Sequence, residues 1–170
     1  MRTVFGADEQ SEVEIDILRW VRLARMVLDE ERVPEEAEMS VIFVDEQAMA
    51  DLHDRFLGGS GATDVLAFPM DDDLAPGGRQ PDQGGRGPGS PAEASDPPTV
   101  IGDVVVCPQV ASRQAGERRS IDDEVALLVV HGVLHLLNYD HAEDQESEAM
   151  RKRERELLAQ FRQLEREAGL

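Results

Sequence analysis

The stretch His-Gly-Val-Leu-His-Leu-Leu-Asn-Tyr-Asp-His runs from His131 to His141 and holds three of the chain's four histidines. An apolar run over residues 125–130 leads into it. Ser120, with Asp123 three residues later, is a capping signature that opens a helix predicted to reach about residue 137. His131 and His135 are four apart on that helix, so their rings share a face and both can reach one ion. A third ligand can return only if the helix stops at once. Asn138 stands at that point, and asparagine is second only to glycine at adopting the left-handed conformation of a helix C′ position. His141 follows three residues later. Three neutral imidazoles suit zinc, although nickel, copper or iron are acceptable to such a set. Three protein ligands leave the fourth zinc position to water, the mark of catalytic rather than structural sites. The spacing therefore predicts one zinc ion per chain, held by His131, His135 and His141.

Working outward, the C-terminal segment predicts a last helix over residues 143–167 with Met150, Leu157, Phe161 and Leu164 on one face. Its other faces mix arginine and glutamate at pairing distance and read as solvated surface. Towards the N-terminus, residues 1–5 read as a short strand. Ser11 and Glu14 form a capping box for a helix over residues 12–31, where Val13, Ile17, Val21, Ala24 and Leu28 recur at helical spacing. Residues 40–44 read as a buried strand, and Asp45 is placed to cap a second helix carrying Met49, Leu52 and Phe56. His53 lies in that helix and reads as structural. A Gly-Gly-Ser-Gly loop at residues 58–61 precedes a strand over residues 63–68, ended by Pro69. Residues 99–106, rich in β-branched side chains, predict another strand. Alternating helices and short strands indicate one α/β (α+β) domain over residues 1–170, with helices packed on a small sheet.

Residues 71–98 stand apart. They are dense in Gly, Pro, Asp and Ser and contain no aromatic residue, so they cannot bury enough apolar surface to offset their ordering entropy. The segment also exceeds the ordinary loop length of about 12–15 residues. Its composition predicts a disordered insertion.

The totals exclude some partners. The chain of 170 residues carries a formal charge of −19, and Lys152 is its only lysine. As a mean field this repels nucleic acid and anionic membranes, so any contact with RNA needs a local basic surface or a protein partner. No apolar run approaches the length of a bilayer span, and the first residues lack the pattern of a secretory signal. A single cysteine, Cys107, excludes an internal disulfide and fits a reducing, cytoplasmic setting. Arg113, Arg118 and Arg119 cluster just before the histidine helix. There they either serve phosphate near its N-terminus or offset Asp122, Asp123 and Glu124.

The histidine stretch resembles the YbeY family of rRNA-processing metallo-endoribonucleases, whose signature is H-G-x-L-H-L-x-G-Y-D-H. His131-Gly132, Leu134-His135-Leu136 and Tyr139-Asp140-His141 match it, and Asn138 departs. Thr63-Asp64-Val65-Leu66-Ala67-Phe68-Pro69 is similar to the family's P-T-D-V-L-S-F-P, with Ala62 and Ala67 as departures. Gly102-Asp103-Val104-Val105-Val106 is similar to its G-D-I-V-I strand. Many family members carry an arginine in an L-N-x-x-Y-R pattern before the T-D-V-L strand. The aligned position here is Leu57, with Arg55 two residues earlier, so that arginine is not carried over. The resemblance implies a mixed β-sheet flanked by helices and a zinc ion beside a cleft bordered by the strand that Thr63 and Asp64 open. It also implies single-strand-specific cleavage of rRNA precursors, in 16S rRNA 3′-end maturation and ribosome quality control, with the ribosome or ribosomal proteins as partners.

The histidine spacing is also that of the metzincin helix-turn H-E-x-x-H-x-x-G-x-x-H, with Gly132 in place of the catalytic Glu and Asn138 in place of the Gly. Loss of that base disfavours a zinc peptidase or another metallohydrolase that depends on it. RNA asks less of the protein, because its own 2′-hydroxyl can act as nucleophile. Asp140, Glu143 and Asp103 are candidate proton acceptors, and Asp140 is equally suited to orienting a ligand histidine. A third reading is a ribosome-assembly factor whose metal mainly supports the fold. The composition of residues 71–98 yields a first test. Replacing them by a short Gly/Ser bridge should leave the thermal midpoint and metal content nearly unchanged, and a large drop in midpoint would show that the segment packs on the domain.

Overall fold

A computed structural model describes residues 2–70, 99–139 and 143–170; the expected insertion at residues 71–98, together with Asp140 and His141, lies outside the described residues. The elements run β1 (Thr3–Glu9), α1 (Ile17–Glu30), β2 (Ala37–Val44), α2 (Glu46–Leu57), β3 (Val65–Pro69), β4 (Thr99–Val106), α3 (Pro108–Ala115), α4 (Ile121–Leu136) and α5 (Asp144–Ala168). The four strands form one mixed sheet in the order β1-β2-β4-β3. β1 runs parallel to β2 and β2 parallel to β4, while β3 lies antiparallel to β4 with Val65 opposite Val106 and Pro69 opposite Gly102. The mixed sheet flanked by helices agrees with the expected α/β (α+β) class.

Strand alternation divides the core between the two faces of the sheet. Met39, Val41, Phe43, Val104 and Val106 pack with α1, α4 and α5. Val44, Leu66, Val105 and Cys107 face the other way, against Met49 of α2 and Val110 of α3. Ten of the sixteen residues of α4 are buried, so it is a central helix rather than an amphipathic surface one. It touches α1, α3, α5, β3 and β4. No helix among the described residues is long and apolar enough to cross a membrane.

Several local expectations hold for stated reasons. Ser120 caps α4 by accepting from the Asp123 amide at 3.1 Å. Asp45 caps α2 by accepting from the Ala48 amide at 2.8 Å. Three readings need correction. Asp16, not Ser11, caps the first helix, because Gln10 gathers the Glu12 and Val13 amides into a turn and delays the start to Ile17. β1 runs on to Glu9, because β2 offers it parallel partners as far as Val44. The helix α3 was not foreseen. Its N-cap, Cys107, makes no side-chain bond, and only Pro108 at its first position marked it.

Two glycines set the approach of α4 and β3 to the sheet. Gly102 has φ +145°, and a Cβ there would fall 2.2 Å from the Phe68 carbonyl oxygen, so the β3–β4 pairing tolerates no side chain. Gly132 is helical and buried, and a Cβ on it would stand 2.6 Å from Cγ1 of the fully buried Val104. The family-like glycine after the first histidine is therefore a packing requirement, and a glutamate at this position would have to displace the Val104 side chain. Gly132→Ala gains roughly 1 kcal/mol of helix propensity and costs about 1–3 kcal/mol in overpacking against a stiff valine. We expect a net loss of stability in urea denaturation, partly recovered by adding Val104→Ala. Equal midpoints for Gly132→Ala and wild type would refute the close-approach argument.

Candidate active site

The last two turns of α4 carry the site. Because α4 lies across β4 and β3, His131 and His135 emerge beside the edge strand. They line, with Gly132 and with Val65, Leu66, Ala67 and Pro69 of β3, a cleft of about 270 Å³. The two Nε2 atoms stand 3.0 Å apart, with the ring planes at 71°. Two imidazole nitrogens bound to one tetrahedral zinc at roughly 2.0–2.1 Å would be about 3.3 Å apart, so the pair is already close to a shared-ligand geometry. His131 Nδ1–H donates to Oε1 of Glu154 at 2.5 Å, which places the ring proton on Nδ1 and leaves Nε2 as the acceptor facing His135 Nε2. This donor set fits a transition-metal ion. Among the described residues no three His, Cys, Asp or Glu side chains converge on one point, and His141 lies outside them.

The end of α4 follows the turn chemistry expected of Asn138. Its φ is +69°, the Tyr139 amide donates to the Leu134 carbonyl at 3.0 Å, and the Asn138 amide to that of His135 at 3.1 Å. These are the two bonds of a Schellman motif. Tyr139 then anchors the end of this turn. Its hydroxyl donates to Oε2 of Glu31 at 2.7 Å, and Arg153 of α5 donates to the same carboxylate's Oε1 at 2.5 Å. Burial pushes the Tyr139 phenol above its ordinary pKa, and the bond to Glu31 pushes it further, so it stays a donor. The chain leaving α4 towards His141 is thus tied to the end of α1 and to α5.

The other candidates are scattered. Thr63 and Asp64 sit just ahead of β3, where Asp64 accepts from the Val65 amide at 2.8 Å and from the Thr63 hydroxyl at 3.3 Å. Strand alternation turns Asp103 onto the opposite face of the sheet, beside Phe56 and Phe68 and away from the histidines. Glu143 is exposed at the N-cap of α5, and Asp140 lies outside the described residues. Arg113 pairs with Glu46. Arg118 is exposed, and Arg119 pairs with Glu124 at 3.3 Å. Both arginines precede α4, whose first residue, Ile121, lies about 15 Å of helix rise from His131, so neither arginine joins the histidine pair. Arg55 and Leu57 are both exposed on α2. His53 is structural, its Nδ1 lying 3.0 Å from the Gly61 carbonyl oxygen.

Comparison with known proteins places this geometry in context. The sequence profile described as Endoribonuclease YbeY matches residues 6–162. A protein of that name from Thermobifida fusca is 48% identical over 154 residues, covering 90% of each chain. Another from Salinispora tropica is 45% identical over 154 residues, covering 90% of this chain and 92% of the relative. The solution structure of a Thermotoga maritima protein superposes with a TM-score of 0.59 at 22% identity, covering 97% of this chain and 93% of that one. That last likeness concerns the fold alone.

Sequence reasoning missed Glu154, which it left among the solvated charges of α5. The residue is only 7% exposed. The signal was present, since Met150, Glu154, Leu157 and Phe161 fall at i, i+4, i+7 and i+11 and share the buried stripe. A carboxylate on an apolar stripe needs a partner, and His131 is that partner. Removing such an outer partner typically lowers metal affinity about 10–100-fold. Glu154→Leu should show a loss of this size in zinc competition against a chromogenic chelator. Glu154→Gln keeps an acceptor for Nδ1–H and should lose less. Wild-type affinity in the leucine variant would sink this assignment.

Proposed function

Because the chain belongs to the endoribonuclease YbeY family, we propose that it is a zinc-dependent endoribonuclease that cleaves single-stranded RNA. Its substrates are rRNA precursors, in 16S rRNA 3′-end maturation and ribosome quality control, and it works in the cytoplasm with the ribosome or ribosomal proteins as partners. The observation that carries this reading is the pair of Nε2 atoms 3.0 Å apart, opening on a cleft against an edge strand. His131, His135 and His141 hold the ion, one per chain. A bound zinc supplies Lewis acidity towards a phosphoryl oxygen and acidifies a water at neutral pH.

The remaining steps belong to the chain itself. Glu154 holds His131 in the tautomer that carries its proton on Nδ1 and its lone pair on Nε2. Tyr139, through Glu31 and Arg153, fixes where the chain leaves α4. Asp140, adjacent to His141 in sequence, is the helper that accepts a proton or orients a ligand histidine. Gly132 leaves no carboxylate where a metallopeptidase would carry its base, and Val104 leaves no room for one. That favours a substrate with an internal nucleophile, which RNA has in its 2′-hydroxyl, over a peptide.

Metal analysis paired with cleavage assays tests the reading. Purified protein should carry about one zinc per chain, and His131→Ala, His135→Ala and His141→Ala should each weaken retention sharply. Wild type should cut a single-stranded RNA and leave a peptide library intact, and His135→Ala should lose cleavage while keeping its fold. Wild-type metal retention in His141→Ala would remove the three-histidine site. Cleavage of peptides but not RNA would replace the nuclease reading with the peptidase one.

A further inference from the structure

A chain at −19 that handles RNA must present positive charge locally, and α5 carries six of its seventeen basic residues beside seven acidic ones, so their arrangement around the helix decides the outcome. Arg151, Arg155 and Arg162 stand at i, i+4 and i+11, which at 3.6 residues per turn places them within roughly 40° of one another around the helix. The two acidic residues between them point elsewhere: Glu154 inward to His131, and Glu156 to Arg153 at 3.2 Å. The stripe lies along the groove between α5 and α4. At one end Arg155, Leu158 and Arg162 face Arg119, Asp123 and Leu127 across a cavity of about 410 Å³. At the other end Arg151 lines a smaller cavity together with His131, Met150 and Glu154. Asp123, Leu127 and His131 are themselves i, i+4 and i+8 on α4, so the two cavities lie along one face of that helix, and the second shares His131 with the histidine cleft.

We propose that this groove is the track on which the phosphodiester backbone of a single-stranded RNA lies as it reaches the histidine cleft. The proposal rests on the RNA-cleaving reading above and names the surface that reading lacks. Arg162 and Arg119 already neutralise Asp123 at 3.1 Å and Glu124 at 3.3 Å and serve mainly to hold the far end of the track open. Among the described residues, Arg151 and Arg155 are exposed and have no acidic partner, so they carry the phosphate contacts. From Arg151 to Arg162 the stripe spans about 16 Å, enough for a short run of nucleotides rather than a duplex footprint. Few phosphates are neutralised, and binding to free RNA is accordingly weak with a shallow salt dependence.

The test is binding of a single-stranded oligoribonucleotide across a salt series, for wild type, Arg151→Gln/Arg155→Gln, Arg155→Lys and Arg22→Gln, a control on α1 outside the groove. Each lost phosphate contact should reduce the slope of log affinity against log salt by about 0.7. We expect the double glutamine variant to lose slope and affinity with unchanged zinc content and thermal midpoint, while the lysine and Arg22 variants stay close to wild type. Equal slopes for the double variant and wild type overturn the track, as does an equal loss from Arg22→Gln, which would reduce the effect to net charge. Unchanged RNA binding with lost binding to poly-L-glutamate also overturns it and assigns the groove to an acidic protein. If wild type binds and cuts no RNA, the failure lies with the enzymatic reading instead.

Discussion

The distance between the histidine helix and the sheet is set at Gly132 and Val104, and most of the site follows from it. With no side chain at residue 132, α4 settles directly onto β4, and its next turn reaches the edge strand β3. His131 and His135 flank the contact, so the rings are delivered to the one place where the sheet ends and a cleft opens. A larger residue would move the helix outward and separate the histidines from β3. The same constraint removes the carboxylate that a peptidase of this spacing carries, so packing and chemistry select glycine together.

A second set of contacts converts position into orientation. Glu154 is buried and would be costly without a hydrogen-bond donor, and His131 provides one. The bond satisfies the carboxylate and sets the imidazole tautomer at once. Glu31 does similar work for the chain after α4, taking both the Tyr139 hydroxyl and Arg153. Both arrangements depend on α5, which returns along α4 and supplies Glu154 and Arg153 from neighbouring faces. The helix that looks in sequence like a charged surface coil is therefore part of the site's frame.

Charge is organised in the same economical way. Much of the described arginine is spent on nearby carboxylates, as in Arg19 with Asp122 and Glu165, or Arg2 with Asp29. Exposed pairs of this kind contribute little stability each. Their consequence is that a cation left without such a partner becomes conspicuous, and in the groove beside His131 two of them line up. The global field opposes a bound phosphate, and a local pair of arginines, unpartnered among the described residues, is what can offset it there.

Some of this was legible in the linear sequence. The i, i+4 histidines, the turn at Asn138, the caps Asp45 and Ser120 and the bounds of β4 are short-range matters, decided by helical spacing and by side chains bonding amides a few positions away. Family resemblance added the mixed sheet. Other features needed the folded chain. β1 extends because β2 lies beside it, and Asp103 leaves the site because strand alternation turns it to the far face. Glu154 joins the site because α5 folds back on α4, and Arg118 and Arg119 stand apart from the histidine pair because they precede the first turn of α4 while the histidines lie in its last turns. Each of these depends on which surfaces meet across a long separation in sequence. Hydrophobic burial brings those surfaces together without direction of its own, so a local pattern names the chemical groups while tertiary packing decides which of them share a cleft.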